Sequence, residues 1–156
     1  DILNNSINRA AGTGILIDHR TYGSNSGGSL VADVSSNEVV GAPMYANNVA
    51  GIDVQTRSSS SLGHNADITV SEDRVEDYNF GNGIYVFAYN SGSSSATLNG
   101  HRVFDPGYDG IQIDNTGATI ALSGSDNNKV TNPGNLDFEG IGPISGTIIV
   151  NNVAVP

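Results

Sequence analysis

Four copies of one tetrapeptide pattern constrain this chain more than any other feature. They are Gly14-Ile15-Leu16-Ile17, Gly51-Ile52-Asp53-Val54, Gly83-Ile84-Tyr85-Val86 and Gly110-Ile111-Gln112-Ile113. Each is a glycine, a branched apolar residue, a variable residue and a second branched apolar residue. Side chains alternate between the two faces of a strand, so the two apolar residues share one face and the variable residue takes the other. Ile84 and Val86 are therefore expected inward, and Tyr85 outward. The leading residues Ile15, Ile52, Ile84 and Ile111 recur at intervals inside the roughly 20–50 residue range of repeat architectures. A degraded fifth copy is read at Gly140-Ile141-Gly142-Pro143-Ile144.

A second marker runs in phase with the first. A polar residue stands two before an Ile or Val in Asn5-Ser6-Ile7, Asn37-Glu38-Val39, Asp73-Arg74-Val75, His101-Arg102-Val103 and Asn128-Lys129-Val130. Another apolar strand candidate precedes each of these. Asn tolerates the left-handed conformation that a tight bend can require, and its side chain bonds nearby backbone. Stacked Asn residues can also bond one another as a ladder, which Asp73 and His101 are expected to weaken. One repeat then reads as strand, bend, short strand, Gly-containing turn and the Gly-Ile-x-Ile strand. No single coil can bury its inward face, but stacked coils bury a continuous column of Ile, Val and Leu.

Composition narrows the function classes. The 156 residues amount to one domain or a piece of a longer chain, and the formal net charge is -10 with six Lys and Arg. So acidic a chain lacks the electrostatic footprint of a nucleic-acid binder and is repelled by an anionic membrane surface. No apolar run approaches the roughly 20 residues of a membrane helix. There is no cysteine, hence no disulfide and no thiol chemistry. The expected partners are polysaccharide or further copies of the same chain, with neither nucleic acid nor membrane insertion.

The Asn-x-Ile/Val turns and Gly-Ile-x-Ile strands together resemble the right-handed parallel β-helix proteins of the pectin-lyase-like class, over nearly the whole chain. The resemblance implies an all-β fold: a right-handed parallel β-helix of about five to six coils, with three short strands per coil. It also implies an extracellular or cell-surface location, as in the shafts of bacterial adhesins. Residues 1–156 are read as a single β-helix domain, a fragment or repeat unit of a longer β-helix. The segment from Thr147 to Pro156 is read as the opening of a sixth coil. Ser-, Gly- and Asn-rich stretches at 20–29, 58–65, 90–95 and 115–118 are expected as loops at one corner, where binding is often carried.

In-register stacking would align the outward residues of the Gly-Ile-x-Ile strands into rows. The first is Leu16, Asp53, Tyr85 and Gln112; the second is Asp18, Gln55, Phe87 and Asp114; the third is Arg20, Arg57 and Tyr89. In enzymes of the resembled class, the polysaccharide groove lies along one such outer sheet. Aromatic faces suit sugar C–H surfaces, and Arg pairs with uronate carboxylates in a bidentate way. The candidate substrate-binding residues are accordingly Asp53, Tyr85, Phe87, Tyr89, Gln112 and Asp114. A uronate lyase also needs a base and a neutraliser for the carboxylate. Arg20, Arg57 and His19 are the candidates for base or clamp, and Asp18, Asp53 and Asp114 are candidate calcium ligands.

Other chemistries find less support. The adjacent Asp pair expected of polygalacturonases is absent, and Asp105 and Asp109 flank a Pro-Gly turn. The run from Ser71 to Asp77 holds four acids and reads as a solvated bend. His19, His64 and His101 lack zinc-ligand spacing, and no nucleophile elbow or phosphate-cradling loop is present. Two function classes stay open. One is a structural or adhesive module, associating end to end or contacting glycans. The other is a lyase, epimerase or depolymerase acting on acidic polysaccharide.

Overall fold

The computed structural model describes residues 1–21, 28–42, 50–58, 64–89 and 92–156. These contain strands and no helix. The strands follow one another in triplets. The first triplet is β1 (Ile2–Leu3), β2 (Ser6–Ala10) and β3 (Ile15–Thr21); the second is β4 (Gly28–Ser35), β5 (Glu38–Gly41) and β6 (Ala50–Ser58). Then come β7 (His64–Ser71), β8 (Arg74–Glu76) and β9 (Asn82–Tyr89), followed by β10 (Ser94–Asn99), β11 (Arg102–Phe104) and β12 (Ile111–Asn115). A fifth triplet is β13 (Ile120–Ser123), β14 (Asn127–Thr131) and β15 (Phe138–Ile141), and the chain closes with β16 (Ile144–Gly146), β17 (Ile148–Val150) and β18 (Val153–Val155).

Every third strand pairs with its equivalent in the next triplet, in parallel. This builds three sheets: A is β1-β4-β7-β10-β13-β16, B is β2-β5-β8-β11-β14-β17 with β18 added, and C is β3-β6-β9-β12-β15. A repeated strand pattern of this kind is consistent with a β-helix or solenoid. The inward columns form the core: Val34, Ile68, Val70 and Leu98 from sheet A, Val39, Val75 and Val103 from sheet B, and Ile52, Ile84 and Ile111 from sheet C are all 0% exposed. Ile84 and Val86 point inward and Tyr85 lies on the other face, as alternation requires.

The two sequence markers interlock across coils. A Cβ added to Gly14, Gly51 or Gly83 would lie 2.2 Å from the Cγ1 of Val39, Val75 or Val103 respectively, and one added to Gly110 would lie 2.3 Å from that of Val130. The glycine of one coil thus receives the valine of the next coil's polar-x-Val turn. None of these four glycines has a positive φ, so close approach explains them and turn conformation does not.

The polar residues of the second marker form an unbroken ladder, buried from Asn37 to Asn128. The backbone N–H of Asn5 donates to Asn37 Oδ1 (2.9 Å), that of Asn37 to Asp73 Oδ1 (2.8 Å), that of Asp73 to His101 Nδ1 (3.3 Å) and that of His101 to Asn128 Oδ1 (3.1 Å). Asp73 and His101 keep the ladder continuous. Because His101 Nδ1 accepts, Nε2 carries the proton and donates to the Val70 carbonyl at 2.9 Å. In the first four bends the left-handed residue is not the ladder residue but the one before it: Asn4 (φ 55), Ser36 (φ 57), Glu72 (φ 56) and Gly100 (φ 69). The ladder residue must keep its own N–H along the axis to reach the next coil.

Two expectations at the carboxyl end are corrected. Ile111 pairs with Phe138 and Ile113 with Gly140, so Phe138, not Ile141, takes the leading position of the fifth copy. Ile141 falls in an outward row beside Asp114 and is 40% exposed. After β17, Asn151 (φ 48) and Asn152 (φ 65) form a turn of the mirror-image type that suits hairpins. β18 then returns antiparallel on β17, where a sixth coil would have continued to sheet C. The corner stretches of the sequence fall largely on 22–27, 59–63 and 90–91, outside the described residues. Asn115 does form a corner, accepting from Gly117 N–H (3.1 Å) and donating to Ala118 O (2.7 Å).

Candidate functional site

Sheet C sets the candidate residues in register. Leu16, Asp53, Tyr85, Gln112 and Glu139 make one outward row, and Asp18, Gln55, Phe87, Asp114 and Ile141 the next. Arg20, Arg57 and Tyr89 make the third. The stacking of β3, β6, β9, β12 and β15 alone brings these residues together, with neighbouring strands about 4.8 Å apart. His19 is not among them. It pairs with Thr56, which pairs in turn with Ala88, both 0% exposed, because it sits one residue from Asp18 and Arg20 and so takes the opposite face.

The face is bonded to itself. Arg20 grips Asp18, with Nε 2.7 Å from Oδ1 and a second contact from Nη2 to Oδ2. That guanidinium holds the Asp18 carboxyl below its ordinary range. Arg57 donates to Gln55, and its guanidinium lies 5.1 Å from the ring centroid of Phe87. The rings of Tyr85 and Phe87 stack with centroids 6.2 Å apart. The Tyr85 hydroxyl donates to Asp114 Oδ2 at 3.3 Å. Asn82 Nδ2 donates to Gln112 Oε1, and Gln112 Nε2 to Glu139 Oε2, each at 2.6 Å.

Asp53 is the most perturbed carboxyl of the face. Though its strand position is outward, neighbouring side chains leave it only 2% exposed. Gln55 Nε2 donates to its Oδ2 at 2.7 Å, and its Oδ1 has no partner. Burial pushes this carboxyl up to about 6, and the Asp18 charge adds to the rise. Arg57 Nε and Asp114 Oδ1 are likewise buried without a hydrogen-bond partner. Burial and the Asp114 carboxylate raise the Tyr85 phenol far above its ordinary range, so it stays protonated.

The calcium candidates do not form a set. Asp53 and Asp114 are separated by the β9 strand and by one row, and Asp18 lies in the first coil. Among the described residues, no three His, Asp or Glu could hold a metal ion together. The other acids are explained by turns. Asp109 Oδ1 accepts from Asn135 Nδ2 (2.9 Å) and Leu136 N–H (3.1 Å), and Asp105 (φ 50) accepts from Asn132 at a corner. In the acidic run, Glu72 turns the bend, Asp73 joins the ladder and Glu76 pairs with Arg74.

No protein-family model matches the sequence, no curated protein is found similar to it, and no solved structure matches its fold. Among the described residues, no helix is long and apolar enough to cross a membrane.

Proposed function

We propose that this chain is a right-handed parallel β-helix acting as an extracellular or cell-surface structural and adhesive module, with the outer face of sheet C contacting glycan. The observation that carries this reading is that the polar groups of that face are bonded to one another, along the strands and across the coils. Arg20 is committed to Asp18 and Arg57 to Gln55, while Tyr85 keeps its proton and donates it to Asp114. A lyase base needs a free lone pair beside the substrate, and none of these groups offers one. A pre-ordered row of rings and amides, by contrast, suits binding with little ordering cost. Tyr89, 49% exposed beside Arg57, and the Tyr85–Phe87 stack supply aromatic surface for sugar C–H groups. Right-handed winding follows from the strong preference of parallel strand crossovers. In this reading the outer strands β3 and β15 of sheet C also leave edges open to further copies.

The test is incubation with a panel of neutral and uronate polysaccharides, with and without calcium. Binding is followed by affinity electrophoresis, and cleavage by the absorbance of unsaturated ends. The expected result is retardation without cleavage, weakened several-fold by Tyr89→Ala and Phe87→Ala. Accumulation of unsaturated product, lost in Arg57→Ala, would overturn the module reading in favour of a lyase.

A further inference from the structure

Sheet B carries a charge pattern that the fold does not require. Its outward row, in register, is Ser6, Glu38, Arg74, Arg102 and Lys129. Arg74, Arg102 and Lys129 therefore stand side by side on consecutive strands about 4.8 Å apart, all exposed. They belong to the six Lys and Arg of a chain whose net charge is -10. Like charges directly opposite across strands repel one another. Arg74 is relieved by Glu38 at 3.2 Å and by Glu76 at 2.8 Å. Arg102 and Lys129 have no ion pair among the described residues. The core gains nothing from them, because Val75, Val103 and Val130 fill the inward positions of the same strands. In the next outward row stands Phe104, whose ring centroid is 5.9 Å from the Arg74 guanidinium.

We propose that Arg102 and Lys129, with Phe104 beside them, form a binding site on sheet B for an anionic polysaccharide bearing uronate carboxylates or sulfates. The Arg102 fork can take one anionic group in bidentate fashion, and Lys129 can meet the next as a point charge. The Phe104 ring offers surface to a sugar between them. A peptide that binds by adding a strand needs a free sheet edge, whereas β11 and β14 are paired on both sides. A duplex nucleic acid, with a charge about every 1.7 Å of its length, would meet the field of the acidic chain more strongly than a polyuronate with one charge per sugar. A glycan whose charge repeats along its length needs only the row itself. This site lies on a different sheet from the sheet C face and does not depend on that face binding glycan.

The experiment is affinity electrophoresis and calorimetry at low and rising salt, with polygalacturonate and dextran sulfate as probes, neutral dextran as control and poly-glutamate as the acidic peptide. The proteins are wild type, Arg102→Ala/Lys129→Ala, Arg102→Lys and Arg57→Ala, each with its fold checked by circular dichroism. Wild type is expected to bind the anionic polysaccharides, and salt to weaken the binding. The double variant should bind about tenfold more weakly or worse, with the salt slope reduced by about one unit per cation removed. Arg102→Lys should retain most of the binding. Unchanged binding by the double variant, or absence of binding by folded wild type at low salt, overturns the proposal. Loss confined to Arg57→Ala would move the anionic glycan to sheet C and overturn it too. Poly-glutamate binding as tight as that of the polysaccharides overturns the assignment to glycan.

Discussion

Replacing Gly83 by alanine is a direct test of how the coils fit together. The new Cβ would lie 2.2 Å from Val103 Cγ1 and 2.6 Å from the Gly110 carbonyl oxygen. Carbon atoms rest about 3.5–4.0 Å apart, so the valine must retreat by more than an ångström. It has nowhere to go: Val103 is 0% exposed, and its strand is paired to β8 and β14 on either side. Overpacking of this kind costs about 1–3 kcal/mol, and the rigid surroundings place Gly83→Ala near 3. At about 2–4 °C per kcal/mol for a domain of this size, the melting temperature should fall by about 6–12 °C. The assay is thermal melting followed by circular dichroism, with urea unfolding for the free energy. Val103→Ala alone should also destabilise, through lost burial. Combined, the two changes should cost less than their sum, by about 1 kcal/mol or more, since deleting Cγ1 removes the clash. The relief stays incomplete because the Gly110 carbonyl remains. Stability of Gly83→Ala within about 0.5 kcal/mol of wild type, or strict additivity in the double variant, would refute the interlocking of the two motifs.

Two further outcomes follow from the buried polar groups. Burial raises the Asp73 carboxyl to about 6 and lowers the His101 imidazole to about 4. From about pH 4 to 6 the native Asp73 keeps a proton that the unfolded chain has released, so rising pH costs stability. From about pH 4 to 6.5 the unfolded chain holds a proton that native His101 refuses, so rising pH restores stability. Asp73→Asn combined with Asp53→Asn should therefore make stability climb between pH 4 and 6.5, and His101→Asn, which leaves Asp73 and Asp53, should make it fall between pH 4 and 6. Urea midpoints across that range measure both, and slopes of the same sign would contradict the assignment. Separately, Tyr78 is 0% exposed and its hydroxyl has no hydrogen-bond partner. Tyr78→Phe should gain about 1 kcal/mol by removing that orphan, and a loss of stability on melting would show that the hydroxyl is satisfied in solution.

Much of the candidate face could be read from the chain. The rows through Asp53, Tyr85 and Gln112, and through Arg20, Arg57 and Tyr89, followed from aligning the Gly-Ile-x-Ile strands, because parallel stacking keeps equivalent residues side by side. The place of His19 was also legible, since strand alternation puts it opposite Arg20. The basic row of sheet B had a signal as well: Arg74, Arg102 and Lys129 are the middle residues of three successive polar-x-Val turns. The fifth coil was harder to read. There, the Ile after Gly140 matches the motif, yet Phe138 pairs with Ile111. Hydrogen-bond register is set by the neighbouring strand, and a weak local match can be overruled by it.

The sequence by itself determined the repeat, the parity of the Gly-Ile-x-Ile strands in the first four coils and the polar column at the bends. These depend on backbone geometry with a period of two and on residues that recur from coil to coil. Only the tertiary structure decided what each environment does to a side chain. It made outward Asp53 a buried carboxyl, joined Asp73 and His101 into a continuous ladder, and set the four motif glycines against the valines of the following coil. It also turned the last strand back as an antiparallel hairpin. Burial, pairing and steric fit arise between residues far apart in the chain, and local pattern carries no distance between them.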